Sequence, residues 1–438
     1  MKMRIIVVLL GIFVSTFANA QNKLDEYFEH LSENNKVMGS FAISFNDSLI
    51  YKKAIGYRNA ETKHLNDNET AFRVGSITKT FTSVLVLKAI EEGLLSLDTK
   101  LSAYYPEVKN AEKITIEQLL KHRTGIYNFS EIAGANAWGQ KFHTEEEFLQ
   151  FFLQEKSNFE PGTDFEYSNT NYVLLAFILQ KLYHKTYAEI LTEKITQPLH
   201  LTRTFYTFET DENNNEALSY NIQDKLVRNE IDNFSNDIGS GGIAATPSDI
   251  NKFLFALFNG KLITKESLSL MLPEEKGTYG MGIFKLSFSN PLGYHHSGRI
   301  ENYISDYYYF TDEHIAISSL ANATNINTDE AMSTMLLYLY QQAPKLLNYK
   351  TTNDLSEKAF KKIGGTYFVT DKKESVTISS DGTNLIFQDS RAGQMYVPLK
   401  YTKENTFTYN DFEVVFTPKK HKMVLQQGGV TKTYFKNN

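Results

Sequence analysis

The sequence predicts an α+β chain: an antiparallel sheet flanked by helices, with a helical lobe inserted between its strands, followed by a small all-β domain. Three observations predict it. β-like runs stand near both ends of the first 340 residues and bracket a middle rich in helix signals, which puts sequence-distant strands into one sheet. Short β-rich runs at close spacing fill the tail from about residue 358. The composition, 42% hydrophobic over 438 residues, suffices for sizeable cores at about 150 residues per domain.

Taken in order, the first twenty residues carry Lys2 and Arg4, an apolar run from Ile5 to Val14, and the small-x-small tripeptide Ala18-Asn19-Ala20. This is the pattern of a secretory signal peptide cut after Ala20. The apolar run is about half of the roughly 20 residues that a membrane span needs. The expected organisation is a signal peptide over 1–20, a main domain over 21–345, a polar linker over 346–357 and a β domain over 358–438. In the main domain, "GSFAISFNDSLIYKKAIGY" (Gly39 to Tyr57) alternates apolar and polar residues around Asn46-Asp47, an antiparallel hairpin. From Thr78 to Glu92, apolar residues at Phe81, Val84, Leu85, Leu87 and Ala89 keep a helical period closed by Gly93. Helix signals dominate from Thr115 to Leu199, and "GYHHSG", "YISDYYYF" and "HIAISSLAN" read as strands returning to the sheet. The tail runs "ESVTISS" and "NLIFQD" around Asp381-Gly382, then "NTFTYN", "FEVVFT", "MVLQQ" and "TKTYFK", reading as a small barrel or sandwich.

Composition excludes several function classes. With no cysteine, thiol catalysis, disulfides and cysteine-held zinc are out. Loss of the signal takes the net charge from −6 to about −8, so nucleic acid is not an expected partner, because phosphate neutralisation needs a basic face. No later stretch reaches about 18 consecutive apolar residues, so no stable membrane insertion is expected after cleavage. The ten histidines form no HExxH and no acidic cluster at metal spacing, so neither a metal nor a cofactor is expected.

Chemistry concentrates in three places. Ser76 and Lys79 in "RVGSITKTF" stand at i and i+3 just before the apolar helix, and share one helical face. Ser76 reads either as a helix N-cap or as a nucleophile. A serine hydroxyl is a weak nucleophile and needs a base in contact, and a lysine serves once burial or a nearby cation lowers its pKa. In "FEYSNTNYVLLAFIL", Tyr167 and Asn169 precede a second apolar helix. A tyrosine with a pKa lowered by ammonium neighbours could take and return the serine proton, and Asn169 could hold Lys79 and a substrate amide. The same Tyr-x-Asn pattern recurs at Tyr57-Asn59. In "YHHSGRIENYISDYYYF", His296 and Gly298 lie on an expected strand, where glycine admits a substrate backbone as an added strand. His296 is a candidate to bind a substrate carboxylate or support the tyrosine.

Together, "SITK", "YSN" and "HSG", in that order, resemble the motifs of the serine β-lactamase and penicillin-binding-protein superfamily. The similarity is to its class C-like branch, which includes D-alanyl-D-alanine carboxypeptidases, D-aminopeptidases and carboxylesterases. "ITIEQLLKHRTGI", "FEPGTDFEYSNTNYVLLAFILQ", "PLHLTRT" and "GGIAATPSDINKF" resemble its recurring blocks, and the likeness spans roughly residues 25 to 340. It implies a β-lactamase/DD-peptidase-like fold and a role at each matching position. Ser76 would be the acylated nucleophile, Lys79 its tuner, Tyr167 the general base and acid, and Asn169 the positioner of Lys79 and substrate. His296 would stand for the third-motif lysine, Gly298 would give room, and the N–H groups of Ser76 and Arg299 would form the oxyanion hole. Histidine in the third motif is common in the esterase-like and aminopeptidase-like relatives, which argues against antibiotic hydrolysis as the main activity and leaves weak β-lactam turnover as a side reaction. The chain departs from the pattern at Arg299, Ile300, Glu301 and Asn302, where small residues and a Pro-Gly pair are usual. It departs again at Tyr127 and Asn128, which makes Asn128 a candidate substrate-binding residue.

The expectation is an exported serine hydrolase, periplasmic or extracellular, that acts on an amide or ester carbonyl through a Ser76 acyl-enzyme. Cell-wall peptides and small carboxyl esters are its candidate substrates. The rivals are a non-catalytic binding protein with a cleft obstructed by residues 299–302, and an acyltransferase that uses the same site.

Overall fold

Asn46 and Asp47 turn the chain with φ of 49° and 64°, the pair of left-handed residues that a two-residue hairpin needs. They join β1 (Val37–Phe45) to β2 (Ser48–Ile55), with Phe45 opposite Ser48. The computed structural model describes residues 23–132, 138–222, 225–229, 233–274, 277–286, 292–326, 328–339, 362–369, 375–380, 385–389, 396–403, 405–409, 412–427 and 430–436. The expected signal peptide, the linker and the Asp381-Gly382 turn lie outside these residues. A helix over residues 23–33 precedes the hairpin.

Short strands follow the hairpin. They are β3 (Tyr57–Asn59), β4 (His64–Leu65), β5 (Phe72–Arg73), β6 (Phe205–Tyr206), β7 (Tyr220–Ile222), β8 (Leu226–Arg228) and β9 (Ile243–Ala245). β10 (Phe284–Lys285), β11 (Gly293–Ile300), β12 (Tyr303–Phe310) and β13 (Ile315–Thr324) then complete a six-stranded sheet in the order β10-β11-β12-β13-β1-β2. The first hairpin and the last strands thus share one sheet, as the bracketing pattern predicts. Glu301 and Asn302 form the two-residue turn between β11 and β12, with Ile300 paired to Tyr303 and Glu301 at φ 51°. A second, three-stranded sheet, β5-β9-β6, carries the chain into the Ser76 turn.

The helix Thr78–Glu91 ends where expected. Gly93, at φ 73°, donates to the Ile90 carbonyl and Leu94 donates to that of Ala89, a left-handed closure suited to glycine. Its surroundings differ from the one-sided burial that the apolar period suggests, because every residue from Thr78 to Leu87 is buried. Threonine and serine can stand there because their hydroxyls are satisfied. Thr80 donates to Gly282 O at 2.7 Å, Thr82 to Gly239 O at 2.7 Å, and Ser83 shares a 3.1 Å bond with the Tyr172 hydroxyl. The helix Asn169–Tyr183 is buried from Thr170 to Leu179 and packs in the same core, where the Phe81 and Phe253 rings stack at 3.8 Å. Shorter helices at Ile116–Leu120, Glu145–Phe152 and Tyr187–Leu191 each begin with a threonine capping box.

The tail is a closed barrel of eight strands: β14 (Gly365–Phe368), β15 (Ser375–Ser380), β16 (Leu385–Asp389), β17 (Tyr396–Lys403), β18 (Thr406–Tyr409), β19 (Phe412–Thr417), β20 (Lys422–Gln427) and β21 (Val430–Lys436). β14 pairs with β21 and closes the ring, which decides between barrel and sandwich. Inward positions two residues apart, such as Val376 and Ile378, Leu385 and Phe387, and Val414 and Phe416, fill its core. Residues Gly39–Ser219 and Asn229–Asn322 form one compact unit, which holds every candidate site residue. The barrel belongs to the other.

Candidate active site

Ser76 lies on a 3-10 turn, Gly75–Ile77, that runs into the helix Thr78–Glu91. No side-chain hydrogen bond caps either element. The N-cap reading of Ser76 therefore does not hold, because its hydroxyl takes a different partner. Lys79 Nζ, on a fully buried side chain, donates to Ser76 Oγ at 3.0 Å, to Asn169 Oδ1 at 2.8 Å and to the Ser240 carbonyl at 2.7 Å. Burial holds the Lys79 pKa down to about 7, opposed by Asp237. The last two partners only accept hydrogen bonds. A neutral Lys79 can donate its two protons to them and direct its lone pair at the Ser76 hydroxyl. Ser76 is itself only half-buried.

Asn169 is placed by the start of its own helix. The N-cap residue Ser168 gives no side-chain cap, and Asn128 supplies one from another loop, its Oδ1 accepting the Asn169 N–H at 3.1 Å. Asn128 Nδ2 donates to Glu131 Oε1 at 3.0 Å. With both ends engaged and only 7% of its surface exposed, Asn128 fixes the start of the Asn169 helix. Ser130 Oγ accepts from Asn169 Nδ2 at 3.3 Å. The second Tyr-x-Asn is separate and lies in β3, where Asn59 bonds Glu212.

Tyr167 differs from expectation in its charge. Lys79 Nζ lies 4.8 Å from the centre of its ring, yet burial raises the phenol pKa well above its ordinary value, with the adjacent Ser76 hydroxyl opposing. The Tyr167 hydroxyl is buried and, although it faces Ser76, makes no hydrogen bond of full geometry. Tyr167 is therefore a phenol, able to donate a proton, rather than a resting phenolate. His296 also carries no charge. Burial, reinforced by Lys79, holds its pKa down to about 3. Its Nδ1–H donates to the Ser297 carbonyl at 2.6 Å, which leaves buried Nε2 as an unpartnered acceptor. With no ligand present, the neutral imidazole offers an acceptor at Nε2 and no positive charge.

Gly298 and Arg299 bring β11 against the Ser76 turn. A Cβ on Gly298 would lie 1.9 Å from the Val74 carbonyl and 2.9 Å from Ser76 N. Gly75, at φ +49°, faces the backbone of Arg299, and a Cβ there would sit 2.5 Å from Arg299 N. The two backbone nitrogens expected to form the oxyanion hole therefore border the same junction. β10 pairs with only Tyr294 and His295 of β11, so no described strand continues that edge past His296. Glu301 and Asn302, expected to narrow the cleft, are the hairpin turn.

Sequence reasoning missed several neighbours. Asp237, on the turn Ser235–Asp237, interacts with both Lys79 and Arg73, and burial pushes its carboxyl up to about 6. His122, Tyr172 and Tyr279 form an aromatic wall, with His122 ring centroids 4.2 Å from Tyr167 and 5.1 Å from both Tyr172 and Tyr279. The only sequence signal for His122 is its place in the "KHRTG" block. Asp237 and Tyr279 carry none.

A serine turn bonded to a buried lysine, between an antiparallel sheet and a helical lobe, defines the site as one of the serine-hydrolase type. Residues 24–342 match the Beta-lactamase family, and the chain belongs to it. It is 30% identical over 211 residues to Protein flp of Staphylococcus aureus (strain N315), a match that spans 47% of this chain and 42% of that protein. Its fold is similar to the octameric penicillin-binding protein homologue from Pyrococcus abyssi, with a TM-score of 0.64 and 24% identity over 94% of this chain and 99% of that one. It is also similar to the D-amino acid amidase from Ochrobactrum anthropi SV3, with a TM-score of 0.64 and 23% identity over 74% and 99% of the two chains. At these identities the two structures show the fold alone, the β-lactamase/DD-peptidase fold.

Proposed function

We propose that the protein is an exported serine hydrolase that cleaves an amide or ester carbonyl through an acyl-enzyme on Ser76. The observation that carries this reading is the Lys79 to Ser76 contact of 3.0 Å, made by a lysine whose two other partners only accept. Neutral Lys79 takes the Ser76 proton as Oγ bonds to the carbonyl carbon. The oxyanion is held by the N–H groups of Ser76 and Arg299, where losing one such donor typically costs about 10² to 10³ in rate. Collapse breaks the bond to the leaving amine or alkoxide. The proton returns from Lys79 to that group through the Tyr167 hydroxyl, which passes on one proton and receives another. Water then adds to the ester carbon and passes a proton along the same path to Lys79; collapse breaks the bond between that carbon and Ser76 Oγ, which takes the proton back from Lys79 as the acid leaves.

The substrate class proposed rests on the neutral His296 and on the stretch of β11 beyond His295, which no described strand pairs on that edge. A peptide-like or ester acyl group laid along β11 beside Gly298 would present its carbonyl to Ser76. The D-amino acid amidase shares the fold alone, and by that analogy an amide or peptide with a D-configured acyl part is the substrate to try first. The signal-like first twenty residues support export, and an exported enzyme would meet cell-wall peptides or esters. The test is the intact mass of the mature protein after exposure to a fluorophosphonate. The reading predicts one adduct mapping to Ser76 and none in Ser76→Ala; equal labelling of that variant would refute it.

A further inference from the structure

We propose that His122 is the positioning residue for Tyr167, a role that rests on the serine-hydrolase reading above. His122 grips both flanks of Tyr167. Its backbone carbonyl accepts the N–H of Glu166 at 3.1 Å, and its ring Nδ1 accepts the N–H of Ser168 at 3.2 Å. The backbone N–H groups of the residues before and after Tyr167 are thus both tied to one residue, 45 positions upstream of Tyr167 in the sequence.

Three further features fix the clamp. The backbone of His122 takes φ 54°, a left-handed conformation that costs a non-glycine residue on the order of 1 kcal/mol and aims carbonyl and ring at the same turn. The Asn171 carboxamide fixes the ring: its Oδ1 accepts the Thr124 hydroxyl at 2.8 Å, so its Nδ2 is the end that donates to His122 Nδ1 at 3.2 Å. Two donors converge on Nδ1, so the ring proton resides on Nε2 and the imidazole is neutral. Burial, with Lys79 and His296 adding to it, keeps the imidazole in that form. The fully buried ring then backs the Tyr167 ring at 4.2 Å with a 36° tilt. Tyr167 reaches Ser76 without a full hydrogen bond of its own, so the position of its hydroxyl depends on this backbone grip.

A histidine that merely filled the core would affect stability without acting through Tyr167. The two roles separate in a double-mutant cycle on the full chain, read as the rate of p-nitrophenyl acetate hydrolysis, whose deacylation passes the water proton through Tyr167. His122→Ala should slow hydrolysis by about 10- to 100-fold, since a misplacement of about 1 Å can cost 10² in rate. In a Tyr167→Phe background the same change should cost less than about twofold, because the group it positions is gone. If His122→Ala does not fold, His122→Asn serves in the same cycle. Asparagine tolerates the left-handed backbone and keeps the carbonyl bond to Glu166, while its shorter side chain withdraws the acceptor from Ser168. An equal loss in both backgrounds, or no loss in either, would overturn the assignment. Failure of the unmodified protein to label with a fluorophosphonate would instead overturn the serine-hydrolase reading itself.

Discussion

With a pKa of about 7, roughly half of the Lys79 side chains are neutral at pH 7, and only that half has a lone pair for the Ser76 proton. Labelling should therefore rise with pH along a limb centred near 7. It should show no fall attributable to Tyr167 below pH 10, because burial keeps that phenol protonated beyond its ordinary value of 10.0. Asp237 opposes the effect of burial on Lys79. Asp237→Asn removes a charge that favours the ammonium, so the limb should move to lower pH and labelling at pH 6 should quicken relative to the plateau. A limb that moved up, or stayed in place, would show that Asp237 does not act on Lys79. At this scale the sequence displayed Ser76, Lys79, Tyr167 and Asn169, because short motifs place them at fixed offsets from helix starts. It could not display their charge states. The neutrality of His296 and Tyr167 comes from burial by residues far away in the chain, and the Ser240 carbonyl and Asp237 reach Lys79 only through the fold.

Among the elements, the decisive contact is strand β11 against the Ser76 turn. Gly298 allows it: Gly298→Ala would drive a methyl to within 1.9 Å of the Val74 carbonyl, forcing apart the two backbones that carry the expected oxyanion donors. We expect labelling to fall by about 10² or more, with destabilisation of about 1–3 kcal/mol from overpacking. Gly93→Ala is the control. That glycine also has positive φ but meets nothing within 4 Å, so the change should cost about 1 kcal/mol and leave labelling intact. Comparable labelling losses in both variants would show that stability, not the junction, governs reactivity. The hairpin at Asn46-Asp47 and the helix closed by Gly93 were legible because local turn chemistry sets them. The burial of Thr78–Leu87 on all sides was not, since hydroxyls that look solvent-facing in sequence are satisfied by partners such as Gly282 and Gly239.

At the level of the whole molecule, the bracketing of helices by strands gave the six-stranded sheet, because β1 can pair with β13 only if the chain between them folds to one side. The barrel was legible as a series of short β runs, but two of its strands were not. β14 is only four residues long, and β17 contains Pro398, which donates no ladder hydrogen bond and weakens a strand signal. The likeness to the Pyrococcus abyssi protein covers 94% of this chain. All candidate site residues lie in the compact unit of Gly39–Ser219 and Asn229–Asn322, so the chemistry proposed here is a property of that unit.

The measurement that tests the account most directly is the pH dependence of fluorophosphonate labelling at Ser76, followed by intact mass on the full chain from pH 5 to pH 9. The account predicts a single adduct and a rate that climbs through a midpoint near 7 as Lys79 loses its proton. A folded protein that gains no adduct, or one that labels at a pH-independent rate, would contradict the claim that a half-neutral Lys79 arms Ser76.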